Sequence, residues 1–153
     1  CKGGNGMQES MHMLLYRAFH AQRNILRPYM RALGLGAGQP KLIAYMAANG
    51  PCRQRDLADY FEVDPAAISR MVDSLEKGGF ITVEADGSNR RRNLLTVTDQ
   101  GLEAANAWMA KRAQVEEIML RGFSTEEREA FSAYLTRARQ NYVDWKEKHP
   151  CEI

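Results

Sequence analysis

The chain has 153 residues, 44% hydrophobic and 26% charged, a composition near the globular average that excludes wholesale disorder and favours one domain. Lys and Arg total 21 against 19 Asp and Glu, so the formal net charge is only +2 and any grip on a polyanion must come from a local patch. No run approaches the roughly 20 apolar residues that a membrane-spanning helix needs.

Residues 1–6, Cys1-Lys2-Gly3-Gly4-Asn5-Gly6, lack the apolar stretch of a secretory signal and read as a tail outside the fold. Residues 7–153 then read as a single domain. Cys1, Cys52 and Cys151 are odd in number and form no CxxC pair, which argues against a disulfide scaffold and for the cytoplasm. His12, His20 and His149 make no i,i+4 pair, so no metal and no cofactor is expected.

The first element predicted is a helix over residues 7–33. Met11, Leu14, Ala18, Ala21, Ile25 and Tyr29 recur in steps of three and four beside a second stripe of Leu15, Phe19, Leu26, Met30 and Leu33. That apolar arc is wider than one neighbour would cover, which suits either a central core helix or a helix shared between a core and a dimer partner. Pro28 removes a backbone donor and predicts a kink over residues 24–28. Gly34, Gly36 and Gly38 make the next stretch a loop. Gln39-Pro40 opens a short helix that buries Leu42, Ile43 and Met46, and Asn49-Gly50-Pro51 stops it. A third helix is expected over residues 53–61, with Leu57, Ala58 and Phe61 inward.

Asp64 followed by Pro65 marks the clearest helix start in the chain, an N-cap and a residue preset for the first helical position. That helix runs over residues 66–77, buries Ile68, Val72 and Leu75, and ends at Gly78-Gly79. Two short helices joined by Glu62-Val63-Asp64 make a helix-turn-helix. The period then changes. Residues 80–84 and 93–97 are strand-like around a turn at 86–89, a β-hairpin whose tip carries Arg90-Arg91-Arg92 and whose register the sequence leaves open. Thr98 caps a long helix over residues 99–121. Ser124-Thr125-Glu126-Glu127 is a capping box for a last helix bearing Phe131, Tyr134, Ala138, Tyr142 and Trp145 on one face.

The expected fold is therefore mainly α with a small β component (α+β): a winged helix-turn-helix lobe at 39–98, with dimerisation helices at 7–38 and 99–149. In such a lobe the second helix enters the major groove N-terminal end first, and the basic hairpin serves as a wing. The small residues Ala66 and Ser69 allow close approach to base edges, and Arg70 can reach guanine or phosphate. Gln54, Pro65, Ala66, Ser69 and Arg70, with Arg90, Arg91 and Arg92, are the candidate DNA contacts. Over residues 50–98, however, seven basic residues face eight acidic ones, so binding depends on placement.

These segments resemble the MarR family of bacterial winged helix-turn-helix regulators. The resemblance rests on Leu57-Ala58, on Val63-Asp64-Pro65-Ala66-Ala67-Ile68-Ser69-Arg70 continuing to Ile81, and on Arg91 through Val97-Thr98-Asp99-Gln100-Gly101; Leu35 with Gln39 also fits. It extends over about residues 14–142. It implies a homodimer with interlocked terminal helices on a pseudo-palindromic operator, probing double-stranded DNA as a repressor that a small-molecule effector or oxidant releases. Where the family's wing has Asp-x-Arg, this chain has Asn89 and Arg91, so Arg91 loses a charged neighbour.

Tyr16, His20, Tyr45, Met46 and Trp108 are the candidate effector-pocket residues. Cys52, just before a helix N-terminus, reads as an inert thiol, with a redox-sensing regulator on the same scaffold as the alternative if the helix lowers its pKa. A winged-helix module that meets an acidic protein instead of DNA is the other reading. An enzyme is not expected, because no phosphate loop or nucleophile arrangement is present.

Overall fold

Ser10 accepts a hydrogen bond from Met13 N–H at 3.2 Å, which caps α1 (Met11–Ala32). The computed structural model describes residues 9–85 and 93–150. Helix α1 passes through Pro28 without ending. The helix expected over residues 7–33 thus starts four residues later, at its cap.

Leu33 closes α1, and a loop with Gly34 and Gly38 at φ 75° and 79° leads into α2 (Gln39–Asn49). In this loop the buried Gln39 side chain accepts from Gly36 N–H at 2.8 Å, a tie that orders the three-glycine stretch. Helix α2 ends at Gly50, whose φ of 81° suits glycine. Next come β1 (Cys52–Arg53) and α3 (Gln54–Phe61). The helix expected from residue 53 starts at 54, because the sheet claims Cys52 and Arg53. Asp56 then accepts from Arg53 N–H at 2.8 Å, closing the start of α3. Glu62, with φ 53°, turns the chain into α4 (Pro65–Lys77), where Asp64 Oδ2 accepts from Ala67 N–H at 3.1 Å.

Strands β2 (Ile81–Glu84) and β3 (Leu94–Val97) are antiparallel, with Ile81 opposite Val97 and Glu84 opposite Leu94. Strand β1 adds to the other edge of β3, with Cys52 opposite Leu95, so the sheet order is β1-β3-β2. The hairpin expected at residues 80–97 is thereby confirmed at its base and extended by a third strand.

Leu42, Ile43, Leu57, Ile68, Leu75 and Leu95 are fully buried in one core that α2, α3, α4 and the sheet share. Burying each such side chain is worth about 1.5–3 kcal/mol. Helix α5 (Asp99–Met119) brings Ala104 and Ala105 to this core. The chain divides into two compact units between Val115 and Glu116. In the second, Ser124 and Glu127 form the expected capping box at the start of α6 (Thr125–Lys148). Arg128 Nη1 pairs with both carboxylate oxygens of Glu117 at 2.9 and 3.0 Å and its other terminal nitrogen donates to the Leu120 carbonyl, which fixes the α5–α6 turn. No residue of α6 is buried.

Candidate nucleic-acid interface

Between α3, α4 and the sheet lies an open groove of about 1150 Å³. Its floor is apolar: Ala58 of α3, Val72 of α4 and Val83 of β2. One wall is the start of α3, with Arg53, Gln54 and Arg55. The other is a face of α4 made by Pro65, Ala66, Ser69, Asp73 and Glu76. Ala66, Ser69, Asp73 and Glu76 follow steps of three and four and Pro65 stands four before Ser69, so one helical face supplies them all. Four of the expected DNA contacts, Gln54, Pro65, Ala66 and Ser69, therefore come together. Arg70 is exposed on α4 but does not line the groove. Arg90, Arg91 and Arg92, with Asn89, lie outside the described residues.

The charge in the groove is not simply positive. Asp56, Asp59, Asp73 and Glu76 line it beside the two arginines. Asp56 is engaged by the Arg53 N–H, and Asp59 pairs with Arg55 at 3.5 Å, an exposed i,i+4 contact of small energetic weight. Two of the four acids are thus engaged locally, Asp59 by a cation and Asp56 by a backbone amide.

Residues 39–92 match the MarR family. The HTH-type transcriptional regulator YybA of Bacillus subtilis is 30% identical over 134 residues, covering 87% of either chain. The chain belongs to the MarR family. It is accordingly a DNA-binding transcriptional regulator and not an enzyme. YxaD, another HTH-type transcriptional regulator of B. subtilis, is 35% identical over 95 residues, 62% of this chain and 66% of its own length. The fold is shared with a MarR family regulator from Listeria monocytogenes whose crystal structure holds a 26mer DNA. The TM-score is 0.81 at 22% identity, over 90% of this chain and 91% of that one.

Within this MarR-family chain the five candidate effector residues fall into separate places. Tyr16 and His20 meet on α1 with tilted rings whose centroids are 4.3 Å apart. Tyr45 packs against Tyr60 and Phe61 at 4.6 and 5.7 Å. Met46 is 2% exposed and part of the lobe core. Trp108 is half-buried on α5. Among the described residues, the ring contacts do not join these groups.

Cys52 behaves opposite to a sensor thiol. Burial pushes its pKa from the ordinary 9.0 up to about 11, and the nearby Asp56 carboxylate adds to the shift. The helix N-terminus is outweighed, and the thiol stays protonated near neutral pH. A thiolate that is harder to form in the fold than in the open chain favours folding below pH 9, and this contribution fades between pH 9.0 and about 11. At pH 8 its thiolate fraction is about 100-fold below that of a free cysteine, so disulfide-exchange labelling should show a phase slower by about that factor. Cys52→Ala should abolish this phase. Fast labelling of Cys52 would restore the sensor reading.

Arg53, Arg55, Val83 and Asn93 also line the groove, and sequence reasoning did not select them. For Asn93, buried and adjoining the arginine run, position next to the wing was the available signal.

Proposed function

We propose that this regulator acts as a homodimer on a pseudo-palindromic operator, with α4 in the major groove and the hairpin of residues 80–97 as the wing. The observation that carries this reading is the start of α4. A capped helix end presents Pro65, Ala66 and Ser69 along an open groove, where small side chains let backbone and helix dipole approach the duplex. Gln54 at the start of α3 and exposed Arg70 supply phosphate and base contacts, and Arg90, Arg91 and Arg92 reach the minor groove. That the Listeria protein of the same fold holds a 26mer DNA supports DNA as the ligand.

Dimerisation is supported by the apolar side chains left open. Met11, Leu15 and Phe19 on α1 are 81%, 54% and 57% exposed, and Tyr134 and Tyr142 on α6 are 60% and 72% exposed. A second copy would cover them, and its two-fold axis would set the two α4 helices roughly 34 Å apart, one DNA turn. Residues 7–38 and 99–149 then serve dimerisation, and 39–98 serve DNA. Occupancy of a promoter represses it. An effector that binds better to a dimer with misplaced lobes releases the DNA. The site of action is the cytoplasm. Among the described residues no helix is long and apolar enough to cross a membrane.

Fluorescence anisotropy with the duplex flanking the chain's own gene tests the reading, alongside sedimentation of the free protein. The expected result is a dimer that binds a palindrome at nanomolar concentration and weakens steeply with salt. A monomer, or equal binding to random duplex, would favour a winged-helix module for an acidic protein partner, a reading to which the near-neutral lobe lends weight.

A further inference from the structure

The end of α4 remote from the groove entrance is held by side chains that belong to the start of α5. The carbonyl of Gly79 accepts from the Thr98 hydroxyl at 2.6 Å, and that of Gly78 accepts from Gln100 Nε2 at 3.2 Å. The Thr98 oxygen also accepts from Gly101 N–H at 3.1 Å, so one hydroxyl caps α5 and grips the exit of α4. Thr98 N–H completes the junction by donating to the Phe80 carbonyl at 3.0 Å.

We propose that Thr98 and Gln100 are positioning residues for DNA recognition, which fix the angle of α4 by tying its C-terminal end to α5. This rests on α4 being the helix that enters the major groove. The buried stripe Ile68, Val72 and Leu75 holds α4 to the core by apolar contact, which is non-directional and tolerates small tilts. The hydrogen bonds at Gly78 and Gly79 are directional. A 13-residue helix is about 20 Å long, so a tilt of about 5° at this end moves the other by nearly 2 Å. Hydrogen bonds to base edges tolerate about 0.5 Å. Phosphate contacts through long Lys and Arg side chains tolerate more, so the latch controls selectivity more than general affinity.

The test starts from duplexes that the wild-type protein enriches from a random pool. Binding of the enriched duplex and of random duplex is then measured at temperatures where every variant is folded. Thr98→Val removes the hydroxyl at constant shape. It is expected to lose about tenfold in affinity for the enriched duplex while random-duplex binding stays within about twofold. Thr98→Ser keeps the hydroxyl and should recover most of the loss. A contribution to stability alone would lower the unfolding temperature and leave the ratio of the two affinities unchanged, and that result overturns the proposal. If Thr98→Val does not fold, Gln100→Ala decides: about a threefold loss of the same ratio is expected, and an unchanged ratio again overturns the latch. If the wild type enriches no duplex, the reading of α4 as the DNA reader falls first, and the latch with it.

Discussion

Gly101→Ala is expected to lower the unfolding temperature by about 6 °C, although alanine is the better helix former by about 1 kcal/mol. The reason is the closeness of α5 to the chain leaving α4. A Cβ at residue 101 would stand 2.0 Å from the Phe80 carbonyl oxygen, 2.9 Å from the Phe80 carbonyl carbon and 2.8 Å from Val97 Cγ1. Two of these obstacles are backbone, which no rotamer change can move. Helix α5 must back away, and Thr98 N–H then loses the Phe80 carbonyl and the Thr98 hydroxyl loses Gly79. Overpacking with loss of two hydrogen bonds costs about 3 kcal/mol, which outweighs the helix-propensity gain. Asn106→Ala, at an exposed position of the same helix, serves as the control and should leave the midpoint unchanged or slightly raised. If thermal denaturation finds Gly101→Ala as stable as that control, α5 does not approach Phe80 this closely.

Local signals were legible in the sequence. Asp64-Pro65, Ser124 with Glu127, and Gly50 each fix an element end through their own neighbours, and each stands where its chemistry required. The buried stripe of α4 was readable from its period because one face meets one core. Features that depend on distant pairing were not readable. Strand β1 has two residues, too few for any alternation, and exists only because Leu94 and Leu95 offer a free edge. The same pairing explains why α3 starts one residue late. The α4–α5 latch joins residues about twenty apart, and nothing in the segment around Thr98 indicates that its hydroxyl serves two helices. The acids of the groove were visible as a count, but not that Asp56 and Asp59 are engaged at the α3 wall while Asp73 shares a face with Ser69. Cys52 shows the limit of local position in the same way: standing before a helix left a lowered pKa open as the alternative, whereas burial beside β3 raises it and agrees with the inert reading.

Ala66→Glu separates stability from recognition by sending them in opposite directions. Ala66 is exposed at the second position of α4, where unpaired N–H groups and the positive end of the helix dipole favour a carboxylate. The variant should therefore unfold at the same temperature as the wild type or slightly higher. On the duplex the same carboxylate fills the space that brings α4 near the base edges and faces the phosphates with like charge. A cost of about 2 kcal/mol in each half-site, doubled in a dimer, is about a thousandfold in affinity. Ala66→Gln is the neutral counterpart. It keeps the bulk without the charge, so its loss should be smaller and its salt dependence close to that of the wild type. Wild-type affinity in Ala66→Glu would mean that this turn of α4 does not meet DNA, and the groove would have to be read for another partner.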